Sequence, residues 1–123
     1  MYYDKAGACA VLGAMKGTFS LQLKVNACFV FAIAENAIGS EVLKPSDVIT
    51  SYSGKTVEIT NTDAEGRNVM CDAMSYVQRN YGVNQMIDIS TLTGAIKTAL
   101  GLETAGLFSN NFDFANELMQ AGQ

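Results

Sequence analysis

The chain has 123 residues, 49% hydrophobic and 16% charged, a balance that excludes a disordered polypeptide and sets one domain as the upper bound. Eight Lys and Arg against twelve Asp and Glu give a net charge of −4 with no basic cluster, which argues against a nucleic-acid partner. Histidine is absent, so Ser-His-Asp triads, Cys-His pairs and HExxH zinc sites are excluded within this chain; acid–base work or metal binding must fall to oxygen-rich groups, Lys or a bound ion.

Met1-Tyr2-Tyr3-Asp4 carries no basic region followed by an apolar stretch, so no secretory leader is expected and the cytoplasm is the default location. Residues 6–16 are small and apolar around Leu12 and Met15. They read as a helix able to pack tightly against a sheet, ended by Gly17. Leu21 to Ala34 is β-branched, aromatic and nearly continuous in hydrophobicity, the pattern of a strand covered on both faces in a parallel sheet. Its apolar core, Val25 to Ala34, is far too short to span a bilayer, so no membrane partner is expected.

Glu35 to Ser46 reads as a polar loop. Asp47 to Tyr52 and Lys55 to Thr60 flank Ser53-Gly54 and alternate, which predicts a β-hairpin with Val57 and Ile59 on one face and Glu58 and Thr60 on the other. From Arg67 to about Arg79, Val69, Met70, Ala73, Met74 and Val77 recur at helical spacing, and Tyr81-Gly82 closes the helix. Met86 to Ser90 is a predicted strand, Ile96 to Leu100 a short helix and Thr104 to Ser109 another strand. Phe112 to Ala121 is a last helix with Phe114, Leu118 and Met119 inward. The alternation predicts an α/β fold, a mostly parallel sheet flanked by helices with a β-hairpin insertion, with ligands beyond the carboxyl ends of the strands. Cys9, Cys28 and Cys71 form no CxxC pair and read as buried, reduced thiols.

Between the hairpin and the central helix stands Asn61-Thr62-Asp63-Ala64-Glu65-Gly66-Arg67. In an extended segment Asp63 and Glu65 point to one face, where two carboxylates repel unless a cation or a shared proton lies between them. Gly66 allows a sharp turn or a close approach, and Arg67 offers a planar cation to an anion. The same residues also suit a helix start, with Asp63 or Thr62 as cap and Glu65 at the positive end. Spacing leaves both readings open.

Taken whole, the heptapeptide is identical to the signature of the leucine aminopeptidase (cytosol aminopeptidase) family, and the likeness extends along the chain. Thr91-Leu92-Thr93-Gly94-Ala95 resembles the family's substrate-side loop. Asp4 with the run Gly7 to Ala14 resembles its metal-binding aspartate and the helix behind it. Lys44 to Val48 and Gly54 to Glu58 resemble the lead into the signature. The resemblance implies that residues 1–123 form part of an aminopeptidase catalytic domain. It implies Asp4, Asp63 and Glu65 as ligands of two divalent ions (Zn²⁺, Mn²⁺ or Mg²⁺), with Glu65 bridging. Arg67 would be the catalytic arginine holding a bicarbonate. Thr91, Leu92, Gly94 and Met1 would lie against the peptide substrate, whose N-terminal apolar residue is removed by a metal-activated water.

A homo-oligomer, hexameric in the resembled family, is the implied assembly. In that family a lysine, an aspartate and a catalytic lysine come from upstream of this stretch, and Lys5 beside Asp4 is no substitute. The isolated chain is therefore expected to have little peptidase activity and weak metal affinity. The competing expectation is a non-catalytic fragment or paralogue that acts as an oligomerisation or binding module. A nucleotide-binding domain is disfavoured by the lack of GxGxxG or GxxxxGK[ST].

Overall fold

The computed structural model describes residues 4–123. They divide into two compact units, one ending at Leu92 and one beginning at Thr93.

In the first unit, helix α1 runs Ala6–Ser20 and passes through Gly17, where the sequence predicted its end. The Thr18 hydroxyl donates to the Ala14 carbonyl (2.9 Å) and the Leu21 amide closes onto Gly17 (2.9 Å), so the last turn is satisfied locally. Gly7 is buried, and its missing side chain has a use: a Cβ there would meet the Ile89 carbonyl oxygen and lie 2.6 Å from the Ser90 Cα. The small-residue helix does pack closely, against one extended segment.

Strands β1 (Val48–Thr50) and β2 (Thr56–Glu58) pair antiparallel with Val48 opposite Glu58, Ile49 opposite Val57 and Thr50 opposite Thr56. Gly54 takes φ +89° in the turn, a conformation open to glycine at little cost. The predicted facing holds: Ile59 is buried and Val57 half-buried, whereas Glu58 and Thr60 are exposed.

Helix α2 spans Glu65–Tyr81 and ends on Gly82 in the left-handed region at φ +59°. Its stripe of Val69, Met70, Ala73, Met74 and Val77 is half-buried to buried, as the period requires. Burial of the Ile59 and Val77 side chains contributes about 2 kcal/mol each.

The far end of α2 clasps the hairpin. Arg79 donates from Nη1 to the Tyr52 carbonyl and from Nη2 to that of Ser53, both at 2.9 Å, with its guanidinium 5.3 Å from the Tyr52 ring centroid. The Tyr52 amide donates to Asp72 Oδ1 (2.8 Å), and Tyr52 meets Tyr76 edge to face at 5.7 Å. Tyr52 and Tyr76 thus pack on each other. Arg79→Ala is expected to cost about 2 kcal/mol through two lost charge-assisted bonds and the ring contact. Lysine should restore only part of this, having no planar fork for two carbonyls. Thermal melts of the three proteins check it, and equal midpoints would refute the clasp.

The second unit holds α3 (Ala95–Leu100) and α4 (Phe112–Ala121), both where the sequence placed them. Asn111 caps α4, its side chain accepting from the Phe114 amide at 3.1 Å. Within this unit a Cβ on Gly106 would lie 3.3 Å from Ile96 Cγ1, a close approach of loop to α3. Phe114 is half-buried as predicted, but Leu118 and Met119 are exposed.

The mostly parallel sheet is not what the structure shows. Among the described residues the only ladder is the two-stranded antiparallel hairpin, and helices make up most of the regular structure. Leu21–Ala34, Met86–Ser90 and Thr104–Ser109 run without helix or strand assignment. The physical reason is that a strand exists only as a pair: apolar β-branched composition sets up an extended backbone, but a ladder needs a neighbour. Burial differs for the same reason. Cys9, Cys28 and Cys71 are free thiols as expected, yet all three are exposed, because little polypeptide lies over the elements that carry them.

Candidate active site

Strand β2 delivers the chain through buried Ile59, which is pinned by two backbone bonds. Its amide donates to the Asp47 carbonyl (2.8 Å), and its carbonyl accepts from Ser46 (2.7 Å). The next residues form a 3-10 turn, Thr62–Ala64, that runs straight into α2. Its cap is Asn61, whose Oδ1 accepts from the Asp63 amide at 2.9 Å, rather than Asp63 or Thr62. Three adjacent residues with capping side chains made that choice hard to read from sequence. The consequence is that the exposed Asp63 carboxylate is not used as the cap. Asn61→Ala is expected to cost about 1 kcal/mol in a denaturant titration. No change in midpoint would argue against the cap.

Glu65 is the first residue of α2, where the exposed amides of the helix end favour negative charge. One of its oxygens, Oε2, is buried without a hydrogen-bond partner among the described residues. A buried carboxylate oxygen with no donor is costly unless a cation or a proton meets it. Arg67 stands exposed on the same first turn. Gly66 lies against the segment carrying Leu92, with a Cβ built there 3.2 Å from Leu92 Cδ1. The signature and Leu92, eleven residues beyond the helix end, are therefore neighbours in one unit. That contact had no signal in the sequence beyond the glycine itself. The Ser90 hydroxyl donates to Asp88 Oδ2 (2.6 Å) and approaches Met70 Sδ (3.7 Å), which ties the same segment to α2 and gives Asp88 a local hydrogen-bonding role.

The other predicted positions are less gathered. Asp4 is exposed, just ahead of α1, with φ +69°. No group of three or more His, Cys, Asp or Glu among the described residues stands close enough together to hold a metal ion, so Asp4, Asp63 and Glu65 are not assembled as a three-carboxylate cage. Thr91 is exposed beside Leu92; Gly94 is the exposed N-cap of α3 in the second unit. Met1 lies outside the described residues.

The description "cytosol aminopeptidase family, catalytic domain" matches residues 1–123. The chain belongs to the cytosol aminopeptidase family. It is 53% identical to a probable cytosol aminopeptidase of Wolbachia pipientis wMel, over 99% of this chain and 25% of the relative. Against that of Xanthomonas oryzae pv. oryzae (strain MAFF 311018) the identity is 48%, over 100% of this chain and 25% of the relative. A mutant of tomato leucine aminopeptidase has a similar backbone, with TM-score 0.81 and 44% identity over 94% of this chain and 23% of that one. The chain thus spans about a quarter of the length of the cytosol aminopeptidases it matches. No helix of the described residues is long and apolar enough to cross a membrane.

Proposed function

We propose that residues 1–123 are part of an aminopeptidase catalytic domain and supply one side of a metallo-aminopeptidase active site. The observation that carries this is the intact signature at the start of α2, with the Glu65 Oε2 buried and unpartnered. A divalent cation fits that oxygen by charge and by ligand chemistry. Glu65 and Asp63 would hold it, with Asp4 the further carboxylate, and Zn²⁺, Mn²⁺ or Mg²⁺ all accept such donors. When bound there, a pair of divalent ions supplies a water of lowered pKa and a Lewis acid for a peptide carbonyl.

The chain's own residues do the rest. Arg67 presents a permanent, planar positive charge to an anion at the helix start, bicarbonate or the developing oxyanion. Leu92, packed on Gly66, offers an apolar wall for the side chain of an N-terminal residue, with Thr91 next to it in the chain; Gly94 is assigned to the substrate by the family resemblance alone. The substrate is accordingly a peptide with an apolar, leucine-like N-terminal residue. The name "cytosol aminopeptidase" carried by the relatives supports a cytoplasmic location. A homo-oligomer, hexameric as in the resembled family, is the assembly proposed.

The unassembled Asp4, Asp63 and Glu65 favour a second reading, a non-catalytic binding or oligomerisation module. One experiment separates the two. The chain replaces the matching quarter of the Wolbachia relative, and turnover of leucyl-p-nitroanilide is measured with Mn²⁺ or Zn²⁺. Turnover near that of the parent supports the catalytic reading, and a folded but inactive chimera supports the module. The isolated chain under the same assay is expected to be nearly silent; parent-like turnover by it alone would contradict the partial site.

A further inference from the structure

Asp63 and Glu65 stand on two different elements. Asp63 is the middle residue of the 3-10 turn Thr62–Ala64, and Glu65 is the first residue of α2. The shape of that turn therefore decides how one carboxylate is placed relative to the other. A 3-10 turn is weak by itself, being short and closed by poorly aligned hydrogen bonds. Here two bonds tie it back to a single residue. Asn61 Oδ1 accepts from the Asp63 amide (2.9 Å), and the Asn61 carbonyl accepts from the Ala64 amide (3.2 Å). Among the described residues, the first of these is the only side-chain hydrogen bond made to the turn.

The backbone on either side of the turn is fixed, so this bond acts on little else. Upstream, buried Ile59 is bonded through its amide to Asp47 and through its carbonyl to Ser46. That anchor is itself braced: Asp47 Oδ2 accepts from the Lys44 amide (2.8 Å), and the Asp47 amide donates to the Lys44 carbonyl (3.1 Å). Downstream, Gly66 rests on Leu92. Asn61 lies between them in extended backbone (φ −146°, ψ 116°), the conformation from which a cap side chain reaches forward into the next turn. Holding the Asp63 amide fixes the direction in which that residue leaves the backbone without occupying its carboxylate, which stays exposed and open to a cation.

We propose that Asn61 is a positioning residue for metal binding: acting through the Asp63 amide, its side chain sets the placement of the Asp63 carboxylate relative to that of Glu65. The proposal rests on the catalytic reading above and adds to it the residue that orients the ligands. Groups that orient metal ligands from behind are worth about 10–100-fold in metal affinity or activity. An asparagine that merely started a helix would contribute to stability and to neither of these.

The test compares the Wolbachia chimera with its Asn61→Ser and Asn61→Gly variants. Mn²⁺ binding is titrated by electron paramagnetic resonance of the free ion, and the metal-free proteins are melted in parallel. Serine and glycine are both well accepted at a helix entrance, but only serine keeps an oxygen for the Asp63 amide. Asn61→Gly is expected to weaken Mn²⁺ binding about tenfold or more at a metal-free midpoint close to the parent's. It should lower kcat on leucyl-p-nitroanilide by a similar factor and leave KM nearly unchanged, since the Gly66–Leu92 contact is untouched. Asn61→Ser should recover most of both. Glycine binding Mn²⁺ as tightly as the parent, or serine weakened as much as glycine, would overturn the positioning role. A folded parent chimera that takes up no Mn²⁺ would instead refute the catalytic reading itself, and the role of Asn61 with it.

Discussion

Alanine at Gly7 is expected to destabilise the first unit by about 3 kcal/mol, whereas alanine at Gly13, two turns along the same helix, should stabilise it. The two sites differ chiefly in what a new methyl group meets. At Gly7 it would run into the Ile89 carbonyl oxygen and come within 2.6 Å of the Ser90 Cα and 2.8 Å of the Ile89 carbonyl carbon. All three are backbone atoms, so no rotamer change relieves the contact, and α1 must move off the segment it packs on. At Gly13 nothing lies within 4 Å of the added carbon, and the gain is the lower entropy cost of alanine in a helix, about 0.5–1 kcal/mol. Circular dichroism melts of the two variants should bracket the parent, with the Gly7 variant lower by about 12 °C or more. If both variants moved the midpoint in the same direction, the close packing of α1 on Ile89 and Ser90 would be wrong.

That pair of glycines also marks how far sequence reasoning reaches. The small residues of α1 announced a close approach, but not its partner. Elements whose signals are local were legible: α2 from its apolar stripe and Gly82, α4 from its period, the hairpin from Ser53-Gly54 and alternation. The parallel sheet was not, because Leu21–Ala34 and Met86–Ser90 have strand composition whatever lies beside them, while a ladder needs a neighbouring backbone that neither segment has among the described residues. Exposure of the cysteines, of Leu118 and of Met119 follows the same logic, since burial belongs to the neighbours as much as to the residue. At the candidate site the signature was readable as a word, and the structure adds to it Asn61 as cap, the orphaned Glu65 oxygen and the Gly66–Leu92 contact. Gathering Asp4 with Asp63 and Glu65 was a non-local expectation, and the described residues do not form that cluster.

Glu65→Gln should change stability in opposite directions with and without metal. In the metal-free chain the substitution removes the charge from a carboxylate that has one oxygen buried and unpartnered, at nearly constant volume, so the melting midpoint should stay level or rise. With saturating Mn²⁺ or Zn²⁺ in the chimera the parent gains stability by binding and the variant gains much less, so the order reverses. Turnover of leucyl-p-nitroanilide by the same variant is expected to fall about 10²–10³-fold, the size of a lost transition-state contact in a water-poor site. Arg67→Ala should lower turnover about 10²-fold while leaving the metal-induced shift in midpoint intact, because a guanidinium suits an anion and cannot ligate the cation. Arg67→Lys keeps the charge but loses the fork, and should recover only part of the rate. The two positions therefore separate by readout: metal-dependent stability follows Glu65, and rate alone follows Arg67. A metal-induced shift that survives Glu65→Gln unchanged would remove Glu65 from the ligand set, and the proposed site at the start of α2 would fall with it.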